Sequence, residues 1–137
     1  MLDIAKVDKQ WNKHEVEACV ESMIYGWNVL EVKEKTWVEV RFLPAHKEYV
    51  GLTEQESLKK YIVRLYYNSE GIDAMMQTCL HEMVHVKQFR ERMLSYEPSL
   101  VWYDGTKDGD KAYRKTPWEK QAYKLESILL KKMLTES

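Results

Sequence analysis

The sequence predicts an α+β domain, and three observations lead to that fold class. Apolar residues recur every three or four positions near the N-terminus, which indicates an amphipathic helix. Between residues 36 and 67 they alternate with polar residues, which indicates β-strands. Two further helical patterns occupy the second half of the chain. Because helices and strands are segregated, the pattern favours α+β over alternating βαβ units. The length of 137 residues, without an internal repeat, predicts a single domain, residues 1–137.

The first element is a helix from His14 to Leu30, with Asp8 or Asn12 as the residue that caps its start. Gly26 lies inside this pattern and is expected to weaken the last turn. The predicted buried stripe consists of Val16, Cys19, Val20, Met23, Ile24, Trp27 and Leu30.

Three strands are expected next, at Thr36–Leu43, His46–Leu52 and Tyr61–Tyr67, and they form a small antiparallel sheet. The polar residues 53–60 separate the last two strands. A second helix follows from Asp73 to about Leu94. The last helix begins at Thr116-Pro117 and ends near Leu134. The polar stretch 95–115 between these helices is long for a plain connection, and long loops in compact domains are often functional.

Composition excludes several classes of protein. A chain that is 45% hydrophobic with only 5 Gly and 3 Pro is neither disordered nor collagen-like. Because 21 basic residues nearly cancel 22 acidic ones, no nucleic-acid partner is expected. No apolar run approaches the ~18 residues of a membrane span, and the N-terminal residues do not resemble a signal peptide. We therefore expect a cytoplasmic protein, with Cys19 and Cys79 as buried free thiols.

The residues that carry chemistry are His81-Glu82-Met83-Val84-His85, an HExxH motif within a predicted helix. Residues four apart lie on one helix face, so both imidazoles can direct a nitrogen at one zinc ion. Glu82 is rotated by about 100° from His81 around the helix axis. It is thus placed beside a water molecule on the ion, where it can act as general base. The alternative is a pair of surface histidines on an amphipathic helix.

A catalytic zinc needs a third protein ligand, and the candidate is Glu119 in the first turn of the last helix. A second interpretation is available, since Thr116 and Glu119 have the spacing of a capping box and Pro117 suits the first helical position. The remaining histidines, His14 and His46, lie far upstream and outside any motif. The residues alone leave both roles of Glu119 open.

HEMVH at 81–85 followed by PWEKQAY at 117–123 resembles the gluzincin zinc metallopeptidases. Small metallopeptidase-like proteins of bacteria and phages carry a similar pair, HExxHxxQ and PWExxA, which this chain matches at Gln88 and Ala122. The resemblance covers about residues 60–130. It implies a Zn²⁺ site made of His81, His85 and Glu119, with Glu82 as catalytic base.

The same resemblance implies a minimal zincin-like fold and a zinc-dependent endopeptidase of peptide or protein substrates. That fold has an N-terminal helix, a mainly antiparallel sheet of about three strands, an active-site helix and a C-terminal helix. The substrate is expected to extend along Tyr61–Tyr67 as the edge strand. One departure is Tyr123, which stands where many relatives have an acidic residue that supports a ligating histidine.

Tyrosines of the 95–115 stretch are candidates for stabilising the oxyanion, with Tyr113 the first choice and Tyr103 the second. The alternative for both is simple packing with the hydroxyl in water. Arg114 could bind a carboxylate or the scissile carbonyl, or stay solvated at the surface. Two histidines and a glutamate would also accept manganese, cobalt or nickel.

Two rival functions remain at this stage. The chain could be a non-catalytic zincin-like binding module with a structural metal, although such a site needs no carboxylate at the position of Glu82. It could also be a DNA-associated protease of the SprT-like kind, which the near-neutral charge and the lack of a zinc ribbon disfavour. The sequence leaves the oligomeric state open.

Overall fold

The computed structural model of the protein describes residues 1–91 and 117–136. These residues form an α+β domain, as predicted, with four strands and three helices. In chain order they are β1 (Leu2–Val7), α1 (Lys13–Val29), β2 (Trp37–Leu43), β3 (Gly51–Gln55), β4 (Lys60–Tyr66), α2 (Ile72–Glu91) and α3 (Pro117–Glu136).

The sheet is mixed, and the expectation of about three mainly antiparallel strands was wrong. Its order is β1-β2-β4-β3, with β1–β2 and β2–β4 parallel and only β3–β4 antiparallel. The N-terminal residues form β1, which sequence analysis missed because four of its six residues are exposed. The β1–β2 register also shifts between Ile4 and Lys6, which interrupts the alternation by which strands are recognised. With α1 between them in the chain, β1 and β2 can pair in parallel.

Strand β4 is an interior strand, so the expectation that Tyr61–Tyr67 forms the edge was wrong. It pairs with β2 on one side and with β3 on the other. The edge strand is β3, which covers Gly51–Gln55 rather than the predicted His46–Leu52. Residues 46–50 are all exposed, whereas the polar residues that follow Leu52 pair with β4. An edge strand tolerates such polar side chains, which is why its position was misjudged.

All three helices contribute to the core, and α2 has the central place among them. It packs against α1 and α3 and also contacts β3 and β4. The sheet contributes alternate residues of two neighbouring strands to this core: Val38, Val40 and Phe42 of β2, and Tyr61, Val63 and Leu65 of β4. Because α2 is covered on several sides, its polar residues lie in the interior and need partners there.

Helix α1 begins as predicted, with Asn12 as its cap in a capping box with Glu15. Cys19 and Cys79 are buried free thiols, which confirms that expectation. One member of the predicted buried stripe, Ile24, is instead exposed. Within residues 1–91 and 117–136, no helix has the length and apolar character needed to cross a bilayer.

Gly26 allows α1 to approach α2, the helix that carries HExxH, closely. A Cβ atom at this position would lie 3.2 Å from Cβ of Met83 and 3.4 Å from Cδ2 of Leu80. Since Met83 is fully buried and its Cβ is fixed to the backbone, it has little room to move. Gly26, which was predicted to weaken the last turn of the helix, thus lies at a helix–helix contact that a larger residue would disturb.

We expect Gly26→Leu to lower the free energy of unfolding by about 1–3 kcal/mol, the usual cost of overpacking a core. Urea denaturation of the metal-free protein measures this change. Glu21→Leu, at an exposed position of the same helix, is the matched control and should leave the urea midpoint nearly unchanged. Equal midpoints for Gly26→Leu and the wild type would contradict a close α1–α2 contact here.

Candidate metal centre

The two histidines of HExxH face each other in the interior of the protein. They lie one turn apart on α2, and their ring centroids are 4.7 Å apart. Their Nε2 atoms approach to 3.1 Å, and both residues are buried. The alternative of two surface histidines is therefore excluded.

Glu119 of α3 completes the group. Its Oε1 lies 2.9 Å from Nε2 of His81, and its Oε2 lies 2.8 Å from Nε2 of His85. The carboxylate is buried with the imidazoles. Both oxygens of Glu119 therefore face the histidines. Thr116, the other member of the predicted capping box, lies outside the described residues.

The three side chains could hold a metal ion. Two imidazole nitrogens and a carboxylate form a donor set of catalytic zinc, which leaves a fourth position open. Ligand atoms at about 2.0–2.1 Å from a tetrahedral ion are separated by roughly 3.3 Å. The separations of 2.8–3.1 Å are close to that value. The donor set and its spacing thus fit a small divalent ion.

Gln88 fixes the orientation and tautomer of His85. Its Nε2 donates to the main-chain carbonyl of Trp118 at 2.8 Å and to Oε1 of Gln121 at 3.0 Å. Since the carbonyl can only accept, Oε1 of Gln88 must be the atom that faces Nδ1 of His85, at 2.7 Å. Nδ1 therefore carries the proton, and Nε2 is the nitrogen directed at Glu119. The resemblance had singled out Gln88, and this contact gives it a physical role.

Glu126 plays the corresponding part for His81, and sequence analysis missed it. Its Oε1 lies 3.3 Å from Nδ1 of His81, and the side chain is buried. Tyr123 packs its ring against His81 at a centroid distance of 4.7 Å. The acidic support that Tyr123 cannot give thus comes from Glu126, almost one helical turn later. The spacing of Glu119, Ala122 and Glu126 on one helix face was the available signal.

The ionisation of the group follows from its contacts. Burial acts to lower the pKa of His81, but hydrogen bonds to Glu119 and Glu126, with nearby carboxylate charges, raise it to about 10. Burial acts to raise the pKa of Glu119, yet its hydrogen bonds and charge interactions with His81 and His85 lower it to about 2. Without a metal, a proton on His81 balances Glu119, so a metal ion would have to displace that proton.

Glu82 lies beside this group and points to strand β3. Its Oε1 accepts a hydrogen bond from Oγ1 of Thr53 at 2.6 Å, and only 2% of the residue is exposed. Burial raises the pKa of Glu82, against the opposing effect of the His85 and His81 charges and of the Thr53 hydrogen bond. A buried carboxyl with a raised pKa is typical of a group that exchanges protons in catalysis.

A cleft of about 380 Å³ opens beside these side chains. It lies between β3 and its preceding loop on one side and helices α2 and α3 on the other. Its walls are formed by Glu48, Tyr49, Val50, Gly51, Thr78, His81, Glu82, Tyr123 and Glu126. A ligand in this cleft would reach both His81, one of the possible metal ligands, and Glu82, the predicted base.

The two remaining histidines of the sequence are not brought to this group. His46 is exposed, and its Nδ1 accepts from the main-chain N–H groups of Glu48 and Tyr49. His14 is exposed on α1. Among the described residues, one group brings together three side chains that could bind a metal ion, and it consists of His81, His85 and Glu119. Tyr113, Tyr103 and Arg114 lie outside the described residues, so their predicted roles stay predictions.

Comparison with known proteins yields no relative for this chain. No protein-family model matches it, and neither a curated protein nor a solved structure matches it. The chemical interpretation of the site therefore depends on the geometry described above.

We expect the purified protein to bind about one zinc ion per chain, because its three donors match one tetrahedral site. The double variant His81→Ala/His85→Ala should lose it, as measured by elemental mass spectrometry after dialysis. His46→Ala is the control and should keep the wild-type content. Stoichiometric zinc in the double variant would show that the ion binds elsewhere.

Glu119→Gln separates a ligand from a helix cap. Glutamine also serves in a capping box, so a capping role alone predicts little change. Loss of an anionic ligand should weaken zinc binding by more than about tenfold, since even outer partners of ligands contribute 10–100-fold. Competition with a chromophoric chelator measures the affinity, with Glu136→Gln at an exposed position of the same helix as the control. Equal affinities in all three proteins would leave Glu119 as a cap only.

Proposed function

We propose that this chain is a zinc-dependent peptidase of the gluzincin type with a zincin-like arrangement of its elements. The observation that carries the proposal is the position of Glu82. This buried carboxylate lies next to a His/His/Glu group and lines a cleft. A metal that served only to stabilise the fold would need neither feature, so the arrangement favours catalysis over a structural metal.

The site divides into groups that hold an ion and groups that orient those ligands. His81, His85 and Glu119 would hold it, while Gln88 and Glu126 fix the rings through Nδ1. When bound, a divalent ion would supply Lewis acidity, polarising a peptide carbonyl and lowering the pKa of a coordinated water. Zinc suits this donor set, and the resemblance to gluzincins points the same way.

Glu82 moves the protons of the reaction. It takes one proton from the attacking water, whose oxygen bonds to the carbonyl carbon of the substrate. The carbon–nitrogen bond then breaks, and Glu82 gives that proton to the leaving amine. Burial raises its pKa and so favours the protonated form that the second step requires. One residue can thus serve as base and then as acid.

Strand β3 is suited to align an extended substrate. The N–H of Tyr66 donates to the carbonyl of Val50, and the N–H of Glu56 donates to that of Lys60. Because hydrogen-bonded pairs alternate along an antiparallel ladder, Gly51 and Thr53 direct their main-chain groups to the outer edge of the sheet. A peptide added at that edge would pass the cleft. We propose β3 for the role that sequence analysis gave to Tyr61–Tyr67.

The remaining parts of the proposal concern partners and location. A peptide or protein is the expected substrate, and the near-neutral charge gives no support for a nucleic-acid partner. A cytoplasmic location agrees with the two free thiols.

Glu82→Gln should keep zinc and remove hydrolysis. Loss of a general base lowers turnover by about 10²–10⁴-fold, whereas the donors of the ion stay unchanged. The measurement combines zinc content with mass-spectrometric detection of new termini in a complex peptide library. Glu21→Gln, exposed on α1, is the control. Unchanged cleavage by the Glu82 variant would refute its role as base, and loss of zinc would make it a ligand instead.

A further inference from the structure

We propose that Thr53 positions the general base by holding one oxygen of the Glu82 carboxylate, so that the other oxygen is presented to the cleft. Thr53 itself touches neither the metal ligands nor the reacting atoms and is a positioning residue. This inference rests on the proposed peptidase function and adds to it a role for the edge strand.

The first support is the geometry of the hydroxyl. Oγ1 of Thr53 lies 2.6 Å from Oε1 of Glu82 and 3.3 Å from the main-chain oxygen of the same residue. A carboxylate and a carbonyl only accept hydrogen bonds, so the single hydroxyl proton is directed at this residue. The shorter contact fixes Oε1. The torsion of the Glu82 side chain is thereby set from outside its own helix.

The second support is Gly51, which lies on the same face of β3 two residues earlier. A Cβ atom there would lie 2.9 Å from Oε2 of Glu82 and 2.7 Å from Cγ2 of Thr78. Such contacts are too short for a side chain, so the glycine leaves the room in which Oε2 lies. Gly51 also lines the cleft. Thr53 thus holds Oε1, whereas Oε2 lies in the room left by Gly51 beside the cleft wall.

The third support is the burial of Glu82. Only 2% of this residue is exposed, so bulk water cannot replace a lost hydrogen bond at Oε1 without rearrangement. The carboxylate oxygen of a general base has to lie within about 2.6–3.2 Å of the atom whose proton it takes. A carboxylate free to rotate would satisfy that requirement for a smaller fraction of the time.

Strand β3 therefore has two roles in one short segment. Its main-chain groups at Gly51 and Thr53 are directed at the outer edge of the sheet, where we place an extended substrate, and its inner face at the same residues contacts Glu82. This arrangement predicts that a change at the Thr53 hydroxyl affects turnover rather than substrate or metal binding.

The test compares Thr53→Val, which removes the hydroxyl at nearly constant shape, with Thr53→Ser, which keeps it. The zinc-loaded proteins are assayed on a peptide that the wild type cleaves. We expect kcat to fall about tenfold in Thr53→Val, the equivalent of one buried hydrogen bond, with KM and zinc affinity unchanged. Thr53→Ser should restore kcat. Wild-type kcat in Thr53→Val, or an equal loss in Thr53→Ser, would overturn the proposal.

A second readout needs no activity. In the metal-free protein labelled with ¹³C at the glutamate side-chain carboxyls, the Glu82 resonance is identified by its absence in Glu82→Gln. Thr53→Val should shift this resonance, and Thr53→Ser should leave it close to its wild-type position. An unchanged resonance in Thr53→Val would overturn the hydrogen bond. If the valine variant does not fold, as judged by circular dichroism, Thr53→Ala replaces it in both measurements.

The outcomes separate this inference from the proposed function. The role of Thr53 alone would be overturned if Thr53→Val cleaved fully while the wild type cleaved and Glu82→Gln did not. A wild type that holds zinc and cleaves nothing in the peptide library, or a fully active Glu82→Gln, would overturn the proposed function together with the positioning role. Reduced kcat in Thr53→Val with rescue by serine supports both.

Discussion

The structure depends on one constraint, which is that the central helix of the protein carries ionisable and polar side chains into the protein interior. His81, Glu82, His85 and Gln88 are all buried on α2. Removing such groups from water costs several kcal/mol for each ion unless partners replace the water. The partners come from two elements, Thr53 from β3 and Glu119, Gln121 and Glu126 from α3. The packing of α3 and β3 on α2 is therefore set by polar contacts as well as by apolar area.

The partners of α2 also determine what the site is able to do. Gln88 and Glu126 accept from the Nδ1 atoms, so both Nε2 atoms are directed at one point near Glu119. The contact between His81 and Glu119 raises the pKa of His81 and lowers that of Glu119. The donors are thus held in one arrangement by contacts among the protein's own side chains. Preorganised ligands keep their geometry during a reaction, and this property is required of a catalytic centre.

Periodicity predicted the helices and the HExxH face, because these depend on residues close together in the chain. The bounds of α1, the start of α2 and the cap at Asn12 agree with that prediction. The sheet was misjudged for physical reasons. Strand β1 is exposed and contains a register shift, and β3 is polar because it lies at the edge. Parallel pairing and the contact of Thr53 with Glu82 join distant segments, for which local patterns carry no signal. The helical spacing from Glu119 to Glu126 was a usable signal, but spacing alone does not show that the Glu126 carboxylate contacts His81.

The parallel pairing of β2 with both β1 and β4 has a kinetic consequence. Leu2 pairs with Val38, and Val38 pairs with Tyr61, so two of the three strand ladders close long loops. Closing a long loop costs entropy before the contacts that compensate for it exist, which slows folding relative to a meander of neighbouring strands. The β3–β4 hairpin is the exception, since Gln55 and Tyr61 are close in the chain. The segment that holds Thr53 thus belongs to the one ladder of this sheet that forms without closing a long loop.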